Sequence, residues 1–206
     1  MKHIDYRHVE LHDGFWKTKL DMVRNTTVHA VYDRFCDTHR FSALKCTWKP
    51  GDPDQPHIFW DSDVAKVLEG IANILALYPD KELEAEYDKI IDLIASAQQE
   101  DGYLNSFFTS VSNDRWKGLY MGHELYCAGH LIEAAIAAYE LLGKTKLLDV
   151  VCRYADYIDS YFGTEPEKIQ GIPGHEEIEL ALIRLYQATG NKRYFNLSKY
   201  FIKFNL

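Results

Sequence analysis

From Asp63 onward, apolar residues recur at helical spacing in six successive segments. Val64, Val67, Leu68, Ile71, Ile74 and Leu75 share one face of the first, with Asp61, Ser62 or Asp63 as its N-cap and Pro79 as its stop. The second carries Tyr87, Ile90, Ile91, Ile94 and Ala97 and ends before Gly102, a residue suited to a left-handed terminator. The third, Glu124 to Leu142, is apolar almost all round until Tyr139, a pattern that predicts burial on most sides. The fourth puts Leu147, Val151, Tyr154, Ala155, Ile158 and Phe162 on a single stripe, so its other face meets solvent. A fifth holds Ile178, Ala181, Leu182, Leu185 and Tyr186, and a sixth starts at Arg193. Upstream, one helix is predicted over roughly Lys17 to Phe35, followed by a Pro/Gly/Asp-rich loop at residues 49–56.

The turns between these helices repeat. Tyr139-Glu140-Leu141-Leu142-Gly143-Lys144 is in register with Tyr186-Gln187-Ala188-Thr189-Gly190-Asn191, 47 positions on, and residues 77–83 form a looser third copy. A period near fifty residues, with almost no alternating pattern, predicts an all-α fold of stacked αα-hairpins, either an open solenoid or a closed toroid. The long aromatic and polar stretch from Asp101 to Gly122 reads as a loop, and loops of that length in a compact helical domain usually serve function.

Composition narrows the partners. The 206 residues are 47% hydrophobic and 14% aromatic, enough for one folded domain with a substantial core. A net charge of −8 without a basic run argues against nucleic acid and against an anionic membrane surface. No apolar run long enough for a membrane span and no export signal at Met1 to Arg7 is read, so the expected setting is the cytoplasm. Cys36, Cys46, Cys127 and Cys152 form no close-spaced disulfide framework and are expected as reduced thiols.

The candidate chemistry sits at helix starts. His123 opens one apolar helical run and His175 another, 52 positions apart, close to one hairpin repeat. If the first helices of successive hairpins run parallel, Asp61-Ser62-Asp63, His123-Glu124 and His175-Glu176-Glu177 gather at one end. Imidazoles, carboxylates and nearby aromatic rings suit a sugar, which offers many hydroxyls and two apolar ring faces. Taken singly, the acidic residues are explained by capping and by the helix dipole, and His130 by core packing. Recurrence sets His123 and His175 apart. Cys36, His39 and Cys46 lack the spacing of a closed zinc site, so no metal is expected on this chain, and Cys127 reads as packing.

Longer stretches then become specific. Phe59-Trp60-Asp61-Ser62-Asp63-Val64, residues 97–105 (Ala-Gln-Gln-Glu-Asp-Gly-Tyr-Leu-Asn), residues 123–134 (His-Glu-Leu-Tyr-Cys-Ala-Gly-His-Leu-Ile-Glu-Ala) and residues 173–182 (Pro-Gly-His-Glu-Glu-Ile-Glu-Leu-Ala-Leu), with Asp13-Gly14-Phe15-Trp16, resemble the β-L-arabinofuranosidases of glycoside hydrolase family 127. The resemblance implies about half of an (α/α)6 toroid, with residues 1–206 as the N-terminal part of the catalytic domain. It also implies a retaining enzyme acting on non-reducing-end β-L-arabinofuranosides, through a zinc-held cysteine nucleophile and a glutamate acid/base. His123 and His175 match positions that touch the sugar, and Asp61 and Ser62 fall in a segment expected to line the same pocket. The nucleophile, the zinc ligands and the acid/base glutamate lie further along the family pattern than this chain reaches. Zinc is therefore expected only in a full-length enzyme, and this chain alone is expected to bind a small carbohydrate without hydrolysing it. An open half-toroid also predicts an apolar edge for a second chain. The competing reading is a helical-repeat module that binds another protein without catalysis.

Overall fold

The repeated turn folds twice into the same helix end. In the computed structural model, which describes residues 5–204, the helix α8 (Glu124–Leu142) ends at Gly143 with φ 69°, and α10 (Ile178–Thr189) ends at Gly190 with φ 72°. The Gly143 N–H donates to Tyr139 O at 3.0 Å and the Gly190 N–H to Tyr186 O at 2.7 Å. Only glycine occupies that left-handed conformation without steric cost, which is why the Tyr-to-Gly spacing is kept in both copies.

The remaining elements, in chain order, are α1 (Gly14–Met22), α2 (Val28–Asp37), α3 (Arg40–Ala43), α4 (Trp60–Leu77), α5 (Lys81–Ala97), α6 (Ser106–Ser110), α7 (Leu119–Gly122), α9 (Lys146–Tyr161) and α11 (Lys192–Phe204). Among the described residues there is no strand, only an isolated bridge between Phe162 and Ile169. The fold is all-helical. Three hairpins, α4/α5, α8/α9 and α10/α11, stack side by side. Their first helices form one row, with α8 between α4 and α10, and their second helices form another, with α9 between α5 and α11.

The third apolar segment is apolar all round because α8 has neighbours on three sides. Leu125, Ala128, Leu131, Ile132, Ala135 and Ile136 are all buried, each large aliphatic side chain contributing roughly 1.5–3 kcal/mol. Contrary to the expectation of no such run, the stretch Leu119–Leu142 is apolar enough by length and composition to cross a membrane, and most of it is buried here as a core helix. By contrast α9 buries Leu147, Val151, Tyr154, Ala155 and Ile158 on one stripe. On the outer row, Lys144 pairs with Glu84 and Asp88, and Arg193 pairs with Asp156 and Asp159. Exposed pairs of this kind add little stability individually, but they fix the register of one hairpin on the next.

Three local expectations change. α4 begins at Trp60, because the chain turns at His57–Trp60 (Trp60 N–H to His57 O, 3.0 Å), so Asp61 and Asp63 lie in the first turn and do not cap it. The helix expected over Lys17 to Phe35 is α1 and α2 joined by a π-helical turn, Val23–Thr27. The Asp101–Gly122 loop holds two short helices, α6 and α7, and much of it is buried.

The first-row helices run in one direction. At one end, Tyr6 donates to Asn73 Oδ1 near the C-terminus of α4, while Arg7 reaches the Glu140 carbonyl near the C-terminus of α8. At the other end their N-termini meet.

Candidate functional site

Phe59, the residue before α4, lies with its ring centroid 4.6 Å from that of His123, the residue before α8. His123 in turn lies 4.9 Å from His175, three residues ahead of α10. The structure thus brings both sequence-predicted imidazoles to one place at the N-terminal ends of three parallel helices, where free N–H groups add positive potential. His123 is buried and His175 exposed, so the pair opens to solvent on the His175 side.

His123 has φ 57°, an uncommon conformation for a residue with a side chain, and it separates α7 from α8. Its Nδ1 lies 2.7 Å from the Met121 carbonyl. A carbonyl can only accept, so Nδ1 carries the proton and Nε2 of the neutral ring is left as an acceptor. The segment bearing His175 approaches just as closely. A Cβ on Gly129 would lie 2.6 Å from Glu177 Cγ and 3.1 Å from Ile178 N. Gly129→Ala is therefore expected to push residues 175–178 off α8 and to destabilise the fold by roughly 1–3 kcal/mol. Urea denaturation checks this, and an unchanged midpoint would show that the segment gives way freely.

Asp61 and Ser62 are brought to the same end but are buried. Asp61 Oδ2 accepts from the Ser106 backbone N–H at 2.7 Å, fixing the start of α6, and the Ser62 hydroxyl donates to the Phe59 carbonyl at 2.8 Å. Burial pushes the Asp61 carboxyl above its usual range, against the pull of the Ser106 hydrogen bond. Both residues present little surface to a ligand; Ser62 ties the first turn of α4 to Phe59, and Asp61 ties it to the start of α6.

Glu124, next to His123, is the other buried carboxylate. Its Oε1 accepts from the Tyr103 hydroxyl at 2.5 Å and its Oε2 from the Trp116 N–H at 2.7 Å. Burial raises its pKa to about 7, opposed by those two bonds and by Arg115. Glu124 thereby ties both halves of the long loop to the start of α8.

Sequence reasoning missed Tyr126 and Lys66. Tyr126 follows His123 by three positions, a helical spacing that places both on one face. Its ring centroid lies 5.4 Å from His175 and 4.5 Å from His130, and its hydroxyl accepts from Lys66 Nζ at 2.8 Å. His130 is half-buried, with Nδ1 3.3 Å from Glu177 Oε1. Burial, with the Lys66 charge nearby, lowers its pKa to about 4, and burial raises that of Glu177.

A thiolate–zinc centre does not fit the residues described. Among them no three His, Cys, Asp or Glu side chains come together to hold a metal. Burial pushes all four thiols upward, Cys46 to about 11. Cys127 is buried and donates to the Ile58 carbonyl at 3.3 Å, a packing role.

A row of parallel first helices with aromatic rings and imidazoles at their N-terminal ends is the frame of an α/α-hairpin domain. The family model of the GH127 β-L-arabinofuranosidase catalytic domain matches residues 8–206, so the chain belongs to that family. A non-reducing-end β-L-arabinofuranosidase of Bifidobacterium longum subsp. longum is 47% identical over 150 residues, covering 70% of this chain and 23% of that protein. The crystal structure of a GH127 β-L-arabinofuranosidase from Geobacillus stearothermophilus T6 superposes with a TM-score of 0.90 at 43% identity, over 96% of this chain and 32% of that one. A second GH127 β-arabinofuranosidase structure gives 0.89 at 32% identity, over 95% and 33%. The chain thus spans about a third or less of the length of these relatives.

Proposed function

We propose that this chain forms the imidazole wall of a pocket for a terminal β-L-arabinofuranosyl group, within the N-terminal part of an (α/α)6-toroid glycosidase domain. The observation that carries the reading is the His123–His175 pair, 4.9 Å apart where three helix starts meet. His123, its Nδ1 proton held by the Met121 carbonyl, offers Nε2 as an acceptor to a furanose hydroxyl, and the His175 ring adds a second hydrogen-bonding group beside it. His123 and His175 touch the sugar, while Asp61 and Ser62 act behind them, holding Ser106 and Phe59 in place. Bond cleavage belongs to residues other than these. The carboxylates of Asp61 and Glu124 are occupied by loop donors, and burial holds the thiols protonated.

Two measurements test this. An aryl β-L-arabinofuranoside incubated with the chain and added zinc is expected to hydrolyse at the background rate, and faster turnover would overturn the division of labour. L-Arabinose added to 13C-histidine-labelled protein is expected to shift the His123 and His175 resonances, and unmoved resonances would remove the sugar pocket.

A further inference from the structure

We propose that Tyr126 is the positioning residue of the imidazole pair and that Lys66 sets the plane of its ring, an inference that rests on the sugar-pocket reading above. The Tyr126 ring meets the imidazoles of His123, His175 and His130, with centroids 5.9, 5.4 and 4.5 Å away. Phe59 closes the cluster 6.5 Å away. Tyr126 stands edge-on to His123 and His130, at 88° and 84° between planes, and is tilted by 58° against His175. Edge-to-face contacts of this kind fix orientation as well as distance.

The Tyr126 hydroxyl, at the far edge of the half-buried ring, has its own restraint. Lys66 supplies it from the neighbouring helix, its Nζ donating to the hydroxyl at 2.8 Å and lying 4.8 Å from the ring centroid. Tyr126 on α8, Lys66 on α4 and His175 ahead of α10 thus join all three first-row helices at the site. His175 sits in a turn outside any helix, so the Tyr126 ring, with His123, is the wall that keeps it facing its partner. In this arrangement Tyr126 acts through the histidines and makes no bond to the reacting atoms itself.

The test is a double-mutant cycle with L-arabinose affinity as the readout, alongside the ring-to-ring nuclear Overhauser effect between His123 and His175. Lys66→Met and Tyr126→Phe each remove one side of the same hydrogen bond. Each is expected to weaken arabinose about fivefold, with the double variant no weaker than either single one. Lys66→Arg, which keeps a donor, is expected to restore near-normal affinity. Tyr126→Leu is expected to erase the Overhauser effect and to weaken the sugar at least tenfold while the chain stays folded by circular dichroism. Additive losses in the cycle, or an intact Overhauser effect in Tyr126→Leu, would overturn the proposal. The two inferences fail separately. If the unmodified chain does not bind arabinose, the sugar reading falls and the Overhauser effect alone decides whether Tyr126 holds the pair. If His123→Ala abolishes binding and Tyr126→Leu does not, the positioning role falls and the sugar reading stands.

Discussion

Replacing both His123 and His175 by alanine is expected to abolish measurable L-arabinose binding while the helical fold survives. Each imidazole offers hydrogen bonds to a sugar hydroxyl, and a net contribution of about 1 kcal/mol per bond makes each single substitution cost roughly five- to tenfold. The double substitution then costs on the order of fiftyfold, enough to take a weak monosaccharide site out of range. The structural cost is smaller. His175 is exposed, and His123 makes one side-chain bond, to the Met121 carbonyl. Titration calorimetry or histidine chemical shifts measure the loss. His29→Ala, on the exposed face of α2, is expected to leave affinity unchanged. Binding that persisted in the double variant would move the sugar elsewhere. A protein partner retained by it, with sugar affinity absent from the start, would instead favour the interaction-module reading.

Glu124→Ala is expected to produce the largest loss of stability. The Tyr103 hydroxyl and the Trp116 N–H both donate to this carboxylate in a buried setting. Orphaning a buried donor costs about 1–3 kcal/mol, so two together cost about 2–6 kcal/mol. Trp116 also sits at φ 64°, a conformation that persists only while its surroundings enforce it, and the bond to Glu124 is one of those restraints. Urea denaturation is expected to show the loss, with increased amide exchange across residues 101–122. An unchanged midpoint would mean that the loop is held without this anchor.

The same carboxyl makes stability depend on pH. Burial raises its pKa from the ordinary 4.5 to about 7, so between those values the folded protein holds a proton that the unfolded chain releases. Stability contributed by Glu124 is therefore full below about pH 4.5 and falls as pH rises towards 7, by roughly 2–3 kcal/mol. Glu124→Gln, which cannot titrate, is expected to flatten that slope. The comparison is the difference in unfolding free energy between the two proteins at pH 5 and pH 7.5, and parallel profiles would assign the slope to other groups.

Much of this protein is legible in one dimension. The apolar period fixes each helix and the face it buries, and the Tyr-to-Gly turn at 139–143 and 186–190 marks the repeat, because left-handed helix ends demand glycine. The sequence also marks His123 and His175 as recurring about one hairpin apart, although His123 directly precedes α8 and His175 lies three residues ahead of α10. Other features came only with tertiary structure. Asp61 and Glu124 resemble ordinary first-turn acids, and nothing in the chain says that their partners are Ser106, Tyr103 and Trp116. Lys66 and Tyr126 are sixty positions apart and look like routine helix-surface residues until α4 lies against α8. Periodicity records which face of a helix is turned from water, since burial depends on each residue's own solvation. Which neighbour that face meets, and which buried polar atom satisfies which, depends on pairs of residues distant in sequence, and only the packed hairpins choose them.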